Sequence, residues 1–311
     1  MAAGLLGIED LTREEVQSIL DRARDFQPQA VAGTAGQLFQ KFDLLRGRMV
    51  VNLFFEASTR TRTSFEIAAK RLGADTISIT AQSSSVSKGE SLVDTLNTLA
   101  AMRPDAIIMR HAASGAPHFL QRHLETPIIN AGDGTHEHPT QALLDARTIL
   151  DRGASLEGLR VAIIGDIAHS RVARSNIYLL SKFGAQIVLC GPASLLPVEL
   201  QQIAAGITLT TDMREAIAEA DVIMMLRVQL ERQYESAFPA SEYFQYYGLR
   251  PEHVALARPN AIVMHPGPIN RGREISSEVA DSQRSVILNQ VENGIAVRMA
   301  VLERVLGGSV N

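Results

Sequence analysis

Short apolar runs rich in Val and Ile alternate along the chain with longer stretches in which apolar residues recur at helical spacing. That alternation predicts an α/β fold, with parallel sheets covered by helices. Strands are expected at Met49 to Phe54, Asp75 to Thr80, Asp105 to Met109 and Pro127 to Asn130. A first helix opens at Thr12 with Glu15 three residues on, a capping box. These elements make up a first domain over residues 1–137. From His138 a helix begins at Pro139, with Leu143, Ala146 and Leu150 on one stripe, and predicts a connector over 139–152. The alternation then restarts with strands at Arg160 to Ile164, Gln186 to Leu189, Asp221 to Leu226 and Ala261 to Met264, a second domain over 138–285. A last helical segment, 286–308, is expected to pack back on the first domain. The chain therefore reads as two domains, each a parallel β-sheet flanked by helices.

A length of 311 residues suits two domains with a hydrophobic core each. The formal net charge of -4 weighs against nucleic acid or an anionic membrane as partner, because both demand a surplus of Lys and Arg. A single cysteine, Cys190, excludes an internal disulfide and a multi-thiolate metal site and fits a reducing compartment. It follows Ile187, Val188 and Leu189 and is read as a buried strand residue. No basic segment leads into an apolar core at the amino terminus, and no stretch approaches the ~20 apolar residues that span a bilayer. A soluble, cytoplasmic protein is expected.

The chemistry concentrates between Phe54 and Glu66. A strand runs into Glu56, Ala57, Ser58, Thr59, Arg60, Thr61, Arg62 and Thr63, and then into a helix whose stripe is Phe65, Ala68, Ala69 and Leu72. Hydroxyls and guanidinium groups thus crowd a helix start, where unpaired N–H groups and the helix dipole already attract phosphate. The plain alternative is Ser58 as an ordinary N-cap beside two solvated arginines. Two Thr-Arg pairs in one turn, directly after a buried strand, weigh against it.

Ser58-Thr59-Arg60-Thr61-Arg62 followed by Ser64-Phe65-Glu66 resembles the carbamoyl phosphate signature of the aspartate/ornithine carbamoyltransferase family. The resemblance continues in order through Ser87 to Glu90, Met109-Arg110-His111, His138-Pro139-Thr140-Gln141, Gly165-Asp166 leading to Arg171, Arg227-Val228-Gln229, and His265-Pro266-Gly267-Pro268. It implies a Rossmann-like second domain and transfer of the carbamoyl group of carbamoyl phosphate to an amino acid, the committed step of de novo pyrimidine biosynthesis when the acceptor is L-aspartate. By the same resemblance Ser58, Thr59, Arg60 and Thr61 hold the phosphate, and Arg110 stands between phosphate and carbonyl oxygen. His138 bonds that oxygen, Gln141 the carbamoyl nitrogen, and the backbone at Pro266 and Gly267 lines the pocket. Thr61, Arg110 and His138 are the expected donors to the oxyanion of the tetrahedral intermediate.

Aspartate brings two carboxylates and calls for fixed cations. In the family, the positions of Arg171 and Arg227, with Gln229 beside the second, hold them. Ornithine enzymes usually carry a Cys where Pro266 follows His265 here, which favours aspartate over ornithine as acceptor. The family also implies a homotrimer with shared active sites, in which Lys88 and Ser84 or Ser85 reach into the site of the next subunit. The segment from His265 through Asn270-Arg271-Gly272 resembles the branch whose members associate with dihydroorotase-like chains, and it leaves an assembly with such a chain or a regulatory chain open.

Two rival chemistries are weaker. His136-Glu137-His138 offers metal-ligand residue types, but Pro139 starts a helix at once and no third His or Cys lies near in sequence, so no metal is expected. His118, His123 and His253 are read as surface or capping residues. The strand Arg160 to Ile164 runs into Gly165, yet the loop to Arg171 lacks the further glycines of a dinucleotide site, and no cofactor is expected. A non-catalytic relative would be marked by loss of Arg60, Lys88, Arg110 or His138, and all four are present.

Overall fold

The computed structural model describes residues 4–30, 37–80, 92–227 and 240–307. By its internal contacts the chain divides into two compact units, residues 1–147 with 292–311, and residues 148–291.

The first unit opens with α1 (Arg13–Asp25), where the Thr12 hydroxyl accepts from the Glu15 N–H and the Glu15 carboxylate accepts from the Thr12 N–H. A two-stranded antiparallel ribbon, β1 (Gln29–Ala30) and β2 (Gln37–Leu38), precedes the main sheet. That sheet is built from β3 (Met49–Phe54), β4 (Asp75–Thr80), β5 (Ala106–His111) and β6 (Ile128–Asp133), with α2 (Thr59–Arg71), α3 (Leu92–Ala101) and α4 (Ala116–Gln121) between them. All its pairings are parallel and its order is β4-β3-β5-β6. Leu53, Ile107, Met109 and Ile128 from the strands meet Leu96 and Leu120 from the helices in one core. Each such side chain contributes about 1.5–3 kcal/mol by leaving water. On α2 the expected stripe of Phe65, Ala68, Ala69 and Leu72 is fully buried.

The helix α5 (Pro139–Asp151) follows β6. The second unit then carries β7 (Arg160–Ile164), α6 (Arg171–Lys182), β8 (Gln186–Cys190), β9 (Ile207–Thr210), α7 (Met213–Ile217), β10 (Val222–Met225), α8 (Ala240–Tyr247), α9 (Pro251–Val254), β11 (Ile262–Met264) and α10 (Ser277–Ala280). Its five strands are all parallel in the order β11-β10-β7-β8-β9. Cys190 is the buried end of β8, and burial pushes its thiol up to about 12, so it is an inert core residue. The chain closes with α11 (Ile287–Leu306), which from residue 292 onward belongs to the first unit. Among the described residues no helix is long and apolar enough to cross a membrane.

In each sheet the chain runs outward in one direction and then returns to the other side of its first strand. From β3 it passes to β4 and then to β5 on the opposite flank. From β7 it passes to β8 and β9, and then to β10 on the opposite flank. The carboxyl ends of β3 and β5, and those of β7 and β10, therefore bound a topological switch point, where open parallel sheets leave a crevice for ligands.

Candidate active site

At the first switch point β3 delivers the start of α2. Ser58 is the N-cap residue, but its side chain makes no capping bond, so the hydroxyl is not spent on the helix. The first turn holds no acidic residue, and Arg60 and Arg62 stand there instead. Cations at the positive end of a helix dipole are misplaced for helix stability, and a bound anion removes the conflict. Thr59 and Arg60 are exposed, Ser58 is half-buried and Thr61 is buried.

Arg110 lies on the neighbouring strand directly across from Phe54, and its carbonyl accepts from the Phe55 N–H at 2.9 Å. Its guanidinium has Nε 3.3 Å from a Glu56 carboxylate oxygen, and Nη1 donates to the Ala131 carbonyl at 3.2 Å. The sequence motif alone gives Glu56 no role. Glu56 leaves β3 just before the Ser58 turn and forms an ion pair with a side chain from the neighbouring strand.

The third strand end supplies His138 and Gln141. Beyond β6, Oδ1 of the buried Asp133 accepts from the Glu137 N–H at 3.0 Å and from Asn130 Nδ2 at 2.9 Å, which closes the turn before α5. The Glu137 carboxylate accepts from the Ile8 and Glu9 N–H groups and ties the amino-terminal segment to the same turn. His138 and Gln141 are both buried and stand at i and i+3 at the helix start. Three adjacent strand ends thus present Ser58 to Thr61, Arg110, and His138 with Gln141.

One histidine and carboxylate grouping stands out among the described residues: ligand atoms of His118, Asp133 and His136 lie within 4.8 Å of one another. His118 is remote in sequence from His136, and only the fold brings it there. Asp133 is already engaged, since Oδ2 accepts from the Gly115 N–H at 2.6 Å and pairs with His136 Nδ1 at 3.1 Å, while Oδ1 takes the two bonds above. Burial pushes the Asp133 carboxyl up, but the bonds from His136, Asn130 and Gly115 outweigh it and hold the group below the usual carboxylate range. The turn is thus braced by an ionised carboxylate. Of the other histidines, His253 accepts from the Arg250 N–H at 3.3 Å, a capping role.

At the second switch point Arg171 is the first residue of α6, buried, behind Ser170, whose hydroxyl accepts from the Ala173 N–H at 3.1 Å. Arg227 follows β10, half-buried, next to Leu226, whose N–H donates to the Ile164 carbonyl on β7 at 2.8 Å. The adjacent β11 leads into Pro266 and Gly267, in step with β10 because Met224 pairs with Met264. His265 Nδ1 accepts from the Gly267 N–H at 2.8 Å, so Nε2 carries the proton that it donates to Glu274 at 3.1 Å. That chain of bonds fixes the Pro266–Gly267 backbone from beneath. Ser84, Ser85, Lys88 and Gln229 lie outside the described residues.

The strand ends of the second unit meet closely enough to constrain side-chain size. The Gly165 N–H donates to the Cys190 carbonyl at 2.9 Å, and a Cβ on Gly191 would stand 2.3 Å from the Gly165 carbonyl oxygen. Gly165 itself, at φ 138°, would press a Cβ to 3.0 Å from Leu226 and 3.2 Å from the buried Tyr243 hydroxyl. Gly191→Ala is expected to lower stability by about 1–3 kcal/mol, because backbone must move to make room. A chemical denaturation midpoint equal to that of the unsubstituted protein would show that these strand ends separate freely.

Residues 4–151 match the family model described as "Aspartate/ornithine carbamoyltransferase, carbamoyl-P binding domain", and residues 157–305 match "Aspartate/ornithine carbamoyltransferase, Asp/Orn binding domain". The chain belongs to the aspartate/ornithine carbamoyltransferase family. It is 78% identical over 307 residues to the aspartate carbamoyltransferase catalytic subunit of Solibacter usitatus, covering 99% of this chain and 100% of that one. Among solved structures it resembles aspartate transcarbamoylase of Trypanosoma cruzi in complex with N-(phosphonacetyl)-L-aspartic acid, with a TM-score of 0.87 at 32% identity, covering 98% of this chain and 96% of that one. It resembles ornithine carbamoyltransferase from Pyrococcus furiosus as well, with a TM-score of 0.87 at 30% identity over 99% and 98% of the two chains. The backbone therefore does not separate the two acceptors, whereas the sequence stands close to an aspartate enzyme.

Proposed function

We propose that this chain is a carbamoyltransferase that passes the carbamoyl group of carbamoyl phosphate to the amino group of L-aspartate, giving N-carbamoyl-L-aspartate and phosphate. The observation that carries the reading is the set of groups at the first switch point: a helix start with cations where acids would stabilise it, flanked by Arg110 and His138. Ser58, Thr59, Arg60 and Thr61 bind the phosphate dianion through charge-assisted bonds. The acceptor amine attacks the carbonyl carbon, and the new C–N bond forms as the carbonyl electrons move onto oxygen. Thr61, Arg110 and His138 donate to that oxyanion. Collapse of the intermediate breaks the C–O bond to phosphate, and the leaving phosphate takes the amine proton, so no dedicated general base is needed. Binding both reactants supplies much of the remaining rate. In the second unit Arg171 and Arg227, together with Gln229, take the acceptor carboxylates, and the Pro266–Gly267 backbone bounds the pocket. On this reading the enzyme is a homotrimer in the pyrimidine route, and Lys88 with Ser84 or Ser85 serves the site of the next subunit.

Purified protein given carbamoyl phosphate is expected to carbamoylate aspartate and to leave ornithine untouched, followed by separation of the carbamoylated products. Faster turnover of ornithine sinks the acceptor assignment while leaving the donor site intact.

A further inference from the structure

Gln141 and Asp145 occupy one face of α5 a turn apart, and the Gln141 amide nitrogen Nε2 donates to Asp145 Oδ1 at 2.9 Å. Both side chains are buried, Asp145 completely. A carboxylate only accepts hydrogen bonds, so this contact decides which end of the amide faces which way. The nitrogen is committed to Asp145, and the carbonyl oxygen is left on the other branch. A buried carboxylate needs a compensating charge. Arg298 on α11, itself only 4% exposed, contributes attraction: the negative charge of Asp145 favours the charged guanidinium.

Arg298 has a built seat. Its guanidinium lies 5.1 Å from the centre of the Phe65 ring on α2, and Nη1 donates to the Gly294 carbonyl at 3.0 Å. A Cβ at position 294 would stand 2.6 Å from that same Nη1, so the glycine makes room for the cation. Burial pulls the guanidinium down to about 10, and Arg298 is still a cation at neutral pH. Buried charges are often no more stabilising than apolar residues of the same size, so stability alone is a weak reason for Asp145 and Arg298 to be here.

We propose that Asp145 is a positioning residue that turns the Gln141 carbonyl oxygen toward the carbamoyl group, so that the site accepts a hydrogen bond from the substrate NH2. The inference rests on the reading of Gln141 given under the proposed function and deepens it into a selectivity device. An inverted amide would set NH2 against NH2 and lose the contact. An acyl phosphate with a methyl group in place of the NH2 would leave the Gln141 oxygen unsatisfied, and a buried acceptor without a donor is costly.

Two stable probes isolate the effect. Phosphonoacetamide and acetonylphosphonate both replace the bridging oxygen by CH2 and differ only in NH2 against CH3. Calorimetric titration of the intact enzyme is expected to show a preference for the amide. Gln141→Leu should abolish that preference. The charge-balanced Asp145→Leu/Arg298→Met protein should lose about tenfold of it while binding the methyl ketone within about twofold of the unsubstituted enzyme. A merely structural role would weaken both probes alike. If circular dichroism shows the double variant unfolded, Asp145→Asn replaces it: Asn keeps the volume but offers both a donor and an acceptor, so Gln141 binds in either sense and the preference still drops at least about threefold. An undiminished preference in a folded Asp145 variant, with Gln141→Leu abolishing it, overturns the positioning role alone. An undiminished preference in Gln141→Leu overturns the role of Gln141 and the proposal together.

Discussion

Arg60→Ala is expected to lose carbamoyl phosphate binding, while Arg227→Ala keeps it and shows a much weaker apparent affinity for aspartate. Arg60 stands in the first turn of α2, exposed, at a helix start without an acidic residue, and Arg227 follows β10 in the other unit. Each makes charge-assisted bonds to one reactant only on this reading. Removing such a contact costs about 1.5–3 kcal/mol, roughly ten- to more than hundredfold in affinity. The two losses should therefore fall on different reactants. Calorimetry with phosphonoacetamide reads the first, and the aspartate dependence of the rate at saturating carbamoyl phosphate reads the second. Equal loss of phosphonoacetamide binding in both variants would show that the halves of the site are misassigned.

The same separation shows how far the sequence carried. Alternation of apolar runs with helical stripes was enough for the two parallel sheets, because a strand buried on both faces must be apolar throughout. The boundaries slipped where strands carry polar residues. β5 was expected to stop at Met109 and runs on through Arg110 and His111, and β6 continues past Asn130 to Asp133. Those residues have little strand preference of their own, but pairing with Phe54 and across His111 and Asp133 holds them extended. The short edge strand β9 was missed, since only part of it is buried and its pattern is too brief to declare a period.

At the site, residues clustered in sequence were readable and residues clustered only in space were not. Ser58 to Thr61 announce an anion site because they share one turn. The pairing of Glu56 with Arg110 needs two strands side by side, and the attraction between Asp145 and Arg298 needs the last helix to return to the first unit. His118 stands beside His136 for the same reason. Glu274 beneath His265 belongs to this class as well: His265 was quoted for its motif, and what its ring does became visible only with Glu274 across from it.

Equal amounts of Lys88→Ala and Arg60→Ala trimers, dissociated and reassembled together, are expected to recover activity that neither possesses alone. On the proposed arrangement each site of a closed trimer takes Arg60 from its own chain and Lys88 from the next. Each homotrimer then lacks one group at every site and is nearly inactive. A mixed trimer is different. Going round the ring, one junction must set a chain with intact Arg60 beside a neighbour with intact Lys88, and that one site is whole. Random reassembly makes about three quarters of the trimers mixed, and about one quarter of all sites complete, from cyclic symmetry alone. Activity should rise from near zero to roughly that fraction of the unsubstituted enzyme, and unequal mixing should lower it in proportion to the product of the two chain fractions. Native mass measurement establishes that hybrids have formed. If confirmed hybrids stay inactive, both groups serve the same chain and the shared site is wrong, while the chemistry assigned to Arg60 is untouched.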